Sequence, residues 1–243
     1  DENDSDMAVA LVRIGSTTEI TKIDLPSGPF ADHTPAIVWD GLTYMIAWAR
    51  SKASAAAHVG EPPPADQVVS VSLPPLGGTP SAARVMHDGT QPIRTILGAA
   101  GENRSAFIWQ TEADLAPSMQ IVSRQDGEAE QVSALEEYPD GVVGAFEIHN
   151  DGYVLVIVES AEGTSFHTQT IRVVTASALL QIRGITNAGS FETHNEWRVP
   201  DADILGGAAP ILAYARIASD AQFGGVSRIH AQQAIGPRRR AVR

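Results

Sequence analysis

The chain has 243 residues, 43% of them apolar and only 19% charged, which excludes a disordered segment and leaves room for one large domain. Its 17 basic and 29 acidic side chains give a formal net charge of −12, and so acidic a body excludes general nucleic-acid binding, because phosphates need a positive surface. Cysteine is absent, which removes disulfides, thiolate metal sites and cysteine catalysis together.

The first six residues, Asp1-Glu2-Asn3-Asp4-Ser5-Asp6, have neither the basic region nor the apolar stretch of a signal peptide. With no initiator Met, the chain reads as a mature exported product or as a fragment. The low charge fits export, to the medium or the cell surface. No run of about eighteen apolar residues occurs, so no membrane-spanning segment is expected.

Strand follows strand from there on. Ala8–Ile14 is β-compatible, and Glu19–Leu25 alternates with period two. Val68–Leu73 and Thr168–Val174 are rich in β-branched residues. Asp-Gly pairs at 40–41, 88–89, 126–127, 140–141 and 151–152 punctuate the runs as turns. The best helix candidate, Ala53–His58, is short and is followed by Pro62-Pro63-Pro64, so it reads as a loop insertion.

Four segments align as one repeated strand: Tyr44–Arg50, Ser105–Thr111, Tyr153–Glu159 and Pro210–Arg216. Their bulky fifth positions, Trp48, Trp109, Ile157 and Tyr214, lie 61, 48 and 57 residues apart. Each segment is almost continuously apolar and then turns polar, as a strand buried on both faces does. A period near 50 with about four strands is the size of a propeller blade. The expected blades are 35–87, 92–136, 141–185 and 200–234. The leading hairpin supplies two strands and the last block about three. The prediction is an all-β fold, a β-propeller of four or five blades within a single domain, 1–235, followed by a basic tail, 236–243. Terminal strands would complete a blade in cis or in trans, because an open sheet edge presents unpaired backbone groups.

The run Pro35-Ala-Ile-Val-Trp39-Asp40-Gly41 through Trp48 resembles the degenerate blade repeat of secreted bacterial β-propeller proteins, and the Arg-rich C-terminus is similar to the short basic ends of some of them. The resemblance implies the propeller fold and an extracellular setting. It carries no activity. The later copies depart from the pattern: Trp39 has no aromatic counterpart, and Ile157 replaces the tryptophan.

Catalytic signatures are missing. The chain has no sialidase-type Asp box, no Gly-x-Ser-x-Gly elbow, no His-Glu-x-x-His, no P-loop and no EF-hand loop. The seven histidines, at 33, 58, 87, 149, 167, 194 and 230, include no pair at metal-ligand spacing. No catalytic residue is therefore assigned, and no cofactor is expected. Asp201 and Asp203 share one face of a strand and are the candidates for a calcium ion, which takes hard oxygen ligands. Trp48, Trp109 and Tyr214 share a repeat position and read as core. Trp39 and Trp197 fall outside that register and are the candidates for stacking on a sugar.

Charge is separated at the two ends. Arg238, Arg239, Arg240 and Arg243 give the tail +4, against −4 on Asp1, Glu2, Asp4 and Asp6. A solvated tail is one reading. Another is head-to-tail self-association, with the termini of one copy docking on the next. Two functions follow. The first is a non-enzymatic extracellular propeller for surface assembly, adhesion or filament formation. The alternative is a glycan-binding or glycan-cleaving propeller, with a surface glycan as partner.

Overall fold

The computed structural model describes residues 7–15, 17–26, 31–52, 66–101, 104–111, 119–125, 131–135, 141–150, 152–162, 167–178, 181–193, 202–205, 211–218 and 226–233. Every regular element among them is a strand. They are β1 (Ala8–Ile14), β2 (Thr18–Asp24), β3 (Asp32–Trp39), β4 (Tyr44–Ser51), β5 (Asp66–Leu73), β6 (Arg84–Asp88), β7 (Ile93–Gly101), β8 (Arg104–Thr111), β9 (Met119–Gln125), β10 (Gln131–Leu135), β11 (Val142–His149), β12 (Gly152–Glu162), β13 (His167–Ser177), β14 (Ile182–Thr193), β15 (Ala202–Leu205), β16 (Ile211–Ala218) and β17 (Val226–Gln233). The loop insertion expected at Ala53–His58 lies outside the described residues.

Pairing is sequential throughout. β1 and β2 form a hairpin; β3–β6, β7–β10 and β11–β14 form four-stranded sheets; β15–β17 form a three-stranded one. Such up-and-down meanders follow from short turns between consecutive antiparallel strands. The third sheet runs on to Thr193 rather than ending near 185. Gly184 and Gly189 lie within β14, and the β13–β14 ladder absorbs two irregularities and continues past them.

Two compact units divide the chain, residues 1–114 with 118–132 and residues 115–117 with 133–243. In the first, β4 is the central strand. Residues Met45 to Ala49 are all buried, so both of its faces are core. Ile46 and Trp48 face the β1–β2 hairpin and pack with Ile23, Leu25, Val69, Val71 and Leu73. Met45, Ala47 and Ala49 face the next sheet and pack with Ile93, Ile96, Phe107 and Trp109. Gly98 lets the two sheets approach, because a Cβ there would stand 2.5 Å from Cγ1 of Val38.

In the second unit, Val154, Val156 and Val158 of β12 pack with Ile171, Val173 and Leu212. Leu155 and Ile157 occupy the opposite face of β12 and are equally buried. Trp48, Trp109 and Ile157, three of the four expected repeat positions, have no exposed surface. Tyr214 lies on β16, two residues along from Leu212.

The first strand of each four-stranded sheet carries one extra residue against its partner, between His33 and Ala36, between Ile93 and Thr95, and between Val143 and Ala145. These β-bulges recur at the same end of each sheet and re-aim the side chains there.

Candidate functional site

The β3 bulge opens a cluster of charged groups. Antiparallel pairing sets Asp32 beside Arg50 and Ser51 beside Asp66. The start of β3, the end of β4 and the start of β5 therefore meet at one edge. Asp88 at the end of β6 and Ile93 at the start of β7 join them.

Asp32 and Arg50 form a two-pronged ion pair, Nε to Oδ1 at 2.8 Å and Nη2 to Oδ2 at 3.0 Å. Nη2 also donates to the Pro26 carbonyl at 2.6 Å. The guanidinium carbon lies 5.5 Å from the centre of the Trp48 ring. The Arg50 side chain is 13% exposed and that of Asp32 1%, so two charges removed from water answer each other with near-ideal fork geometry. This pair clamps the end of the central strand.

Asp66 is almost as deeply buried, its side chain 3% exposed. Its Oδ2 accepts the Ile93 backbone N–H at 2.6 Å, which ties β5 to the first strand of the next sheet. The same oxygen lies 3.2 Å from Nε2 of His33. The other ring nitrogen of His33 is 2.7 Å from Oγ1 of Thr34. Thr34 has φ +54°, the left-handed region. A β-branched residue before a proline is doubly disfavoured there, at a cost of about 1–3 kcal/mol. Asp66, His33 and Thr34 thus form a line from a buried carboxylate through an imidazole to a hydroxyl.

At the rim, the Lys52 ammonium pairs with Asp88 and donates to the Gly89 carbonyl at 2.6 Å. Gln67 donates to Asp88 Oδ1 at 3.1 Å. The hydrogen bonds from Lys52 and then Gln67 hold the Asp88 carboxyl below its usual range. His87 stacks obliquely on Trp109 with ring centres 5.5 Å apart. Partial burial lowers its pKa from the ordinary 6.5; Asp88 opposes this and Lys52 adds to it. A histidine depressed in the fold binds its proton more readily when unfolded. Stability therefore falls as pH drops below about 6.5, down to the folded value. Denaturant midpoints measured from pH 7 to 5 are expected to decline in the parent and to decline less in His87→Gln. Equal slopes would remove His87 as the source.

The other end of β3 carries Trp39. The residue is 41% exposed, and its ring lies 4.8 Å from the Tyr44 ring at 53°. The two residues are cross-strand partners. Between them Asp40 Oδ1 accepts the backbone N–H groups of Leu42 at 2.9 Å and Thr43 at 2.7 Å. Gly41 has φ +99°, which a side chain would resist. The Trp-Asp-Gly run is thus turn chemistry that fixes an aromatic at a hairpin tip. Leu42 and Ile37, 68% and 53% exposed, extend the apolar surface.

Asp1, Glu2, Asp4, Asp6, Trp197, Asp201, Arg238, Arg239, Arg240 and Arg243 lie outside the described residues. Asp203 lies on β15, opposite Ala213 on β16. Among the described residues no group of three or more His, Asp or Glu is set to hold a metal ion, and no helix is long and apolar enough to cross a membrane. The Asp32–Arg50 and Asp66–His33 pairs went unread in the sequence. Their signal is a lone charge at the end of an apolar run, at Arg50 and Asp66.

No family model matches the chain, and no curated protein does. Solved structures do. The endosialidase of phage phi92 aligns over 89% of this chain and 38% of its own, with 8% identity and a TM-score of 0.59. The haemagglutinin-neuraminidase of parainfluenza virus 5, solved with the ligand DANA, aligns over 84% of this chain and 62% of its own, with 7% identity and a TM-score of 0.50. The chain therefore spans less than two thirds of the length of either. At such identities the likeness is one of fold: this chain is all-β and built of consecutive antiparallel sheets, and both neighbours are β-propellers.

Proposed function

We propose that this chain is a glycan-binding propeller of four or five blades that works outside the cell or at its surface. The observation that carries the reading is the exposed Trp39 ring, braced by Tyr44 at a rigid hairpin tip. Aromatic faces bury the C–H faces of sugar rings, and a platform held by a turn loses little freedom on binding. The fold likeness to an endosialidase and to a neuraminidase supports the same class of ligand. The buried carboxylates at the other end of β3, Asp32 and Asp66, are engaged by Arg50, Ile93 and His33, so neither is offered to a sugar at Trp39. The termini that would carry head-to-tail assembly lie outside the described residues.

A glycan array of neutral and sialylated oligosaccharides tests it, followed by calorimetric titration of the best ligand. Trp39→Ala is expected to weaken binding roughly tenfold, a loss of about 1.5 kcal/mol. Its effect on stability should stay within about 1 kcal/mol, the scale of its cross-strand pair with Tyr44. An array with no retained glycan, or a Trp39→Ala variant that binds as the parent does, would sink the proposal.

A further inference from the structure

We propose that Thr34, with His33 and Asp66, is a nucleophilic centre that takes acyl groups from small carboxylic esters. The tautomer follows from the partners. A carboxylate can only accept, so Nε2 of His33 carries the hydrogen that faces Asp66 Oδ2 at 3.2 Å. In the neutral ring Nδ1 is then an acceptor, and the Thr34 hydroxyl, 2.7 Å away, donates to it. This is nucleophile, base and orienting carboxylate in sequence. Asp66 is anchored by the Ile93 N–H and is buried, while the His33 side chain is 40% exposed and Thr34 is half-buried, so the line runs from a buried carboxylate toward solvent. Thr34 lies in the β3 bulge and has a left-handed backbone, and it is in this conformation that its hydroxyl meets the His33 ring. Acyl transfer suits the site better than phosphoryl transfer. The neighbouring cations Arg50 and Lys52 are held by Asp32 and Asp88.

In the first step Thr34 Oγ1 bonds to the acyl carbon and its proton passes to His33 Nδ1. The carbon–oxygen bond to the alcohol breaks, and the leaving alkoxide takes that proton. Water then attacks the acyl-threonine and gives a proton to Nδ1. The bond from the acyl carbon to Thr34 Oγ1 breaks, the carboxylic acid departs, and Oγ1 takes the proton back from Nδ1.

The test is p-nitrophenyl acetate with the full chain, read as nitrophenol release and, after acid quench, as an acetyl adduct located by peptide mass. The expected result is an adduct on residue 34 in the parent and in Thr34→Ser. Thr34→Gly accepts the left-handed backbone and so keeps the fold. It should lose the adduct and slow release at least about a hundredfold, as should His33→Gln. Release from Thr34→Gly at the parent rate, an adduct elsewhere, or no turnover by the parent would overturn the proposal. Ester turnover needs no glycan and glycan retention needs no Thr34, so this reading and the previous one fail separately.

Discussion

Arg50→Met is expected to lower the free energy of unfolding by about 3–5 kcal/mol, read from urea or guanidinium titrations. The cause is not the pair's own strength. The Asp32 carboxylate, with a side chain 1% exposed, would be left without its fork of donors. Water cannot easily replace them, and a buried charge stripped of its counter-ion is among the most destabilising changes a fold can suffer. The double variant Asp32→Leu/Arg50→Met separates this cause from simple loss of packing. With both charges gone there is nothing left to desolvate, and most of the stability should return. The Pro26 carbonyl still loses its donor in the double variant, so full recovery is not expected. A single Arg50→Met that unfolds at the parental midpoint would show that the pair sits in a wetter setting than its burial implies.

Trp48→Ala should cost a similar amount, about 3–5 kcal/mol, through the cavity it leaves. Trp48 has no exposed surface and stands between the β1–β2 hairpin and the β3–β6 sheet. A two-stranded hairpin is marginal by itself and depends on what it packs against. The loss should therefore reach beyond the stability figure. Amide exchange in β1 and β2 should accelerate more than in β7 and β8, which face the other side of β4. Trp48→Phe fills much of the volume and should recover over half of the deficit. Uniform acceleration across the unit would instead mean that the hairpin and the sheets open together.

The strands were legible in the sequence because their chemistry is continuous. Tyr44–Arg50 and Tyr153–Glu159 read as strands buried on both faces, and Trp48, Trp109 and Ile157 are fully enclosed. The expected segments 35–87 and 92–136 fall within a few residues of the sheets at 32–88 and 93–135. The charged cluster was not legible, for a reason of distance. Asp32 and Arg50 are 18 residues apart and meet only through the β3–β4 register. That register is shifted by a bulge which no local pattern announces. Asp66 reaches His33 across an even longer stretch of chain. Trp39 was legible as an aromatic outside the repeat, and it is exposed at a hairpin tip.

The pairing of Ser51 with Asp66 has a further consequence. The chain leaves β4 and re-enters β5 at directly opposed positions, so the ladder does not depend on how many residues lie between. Doubling a connection costs only about 0.6 kcal/mol in closure entropy. Foreign sequence inserted after Lys52 would thus be displayed beside Asp32, His33 and Asp66 while the strand register stayed as it is. This junction is a natural port for evolution, or for an engineer, to vary what the charged edge meets.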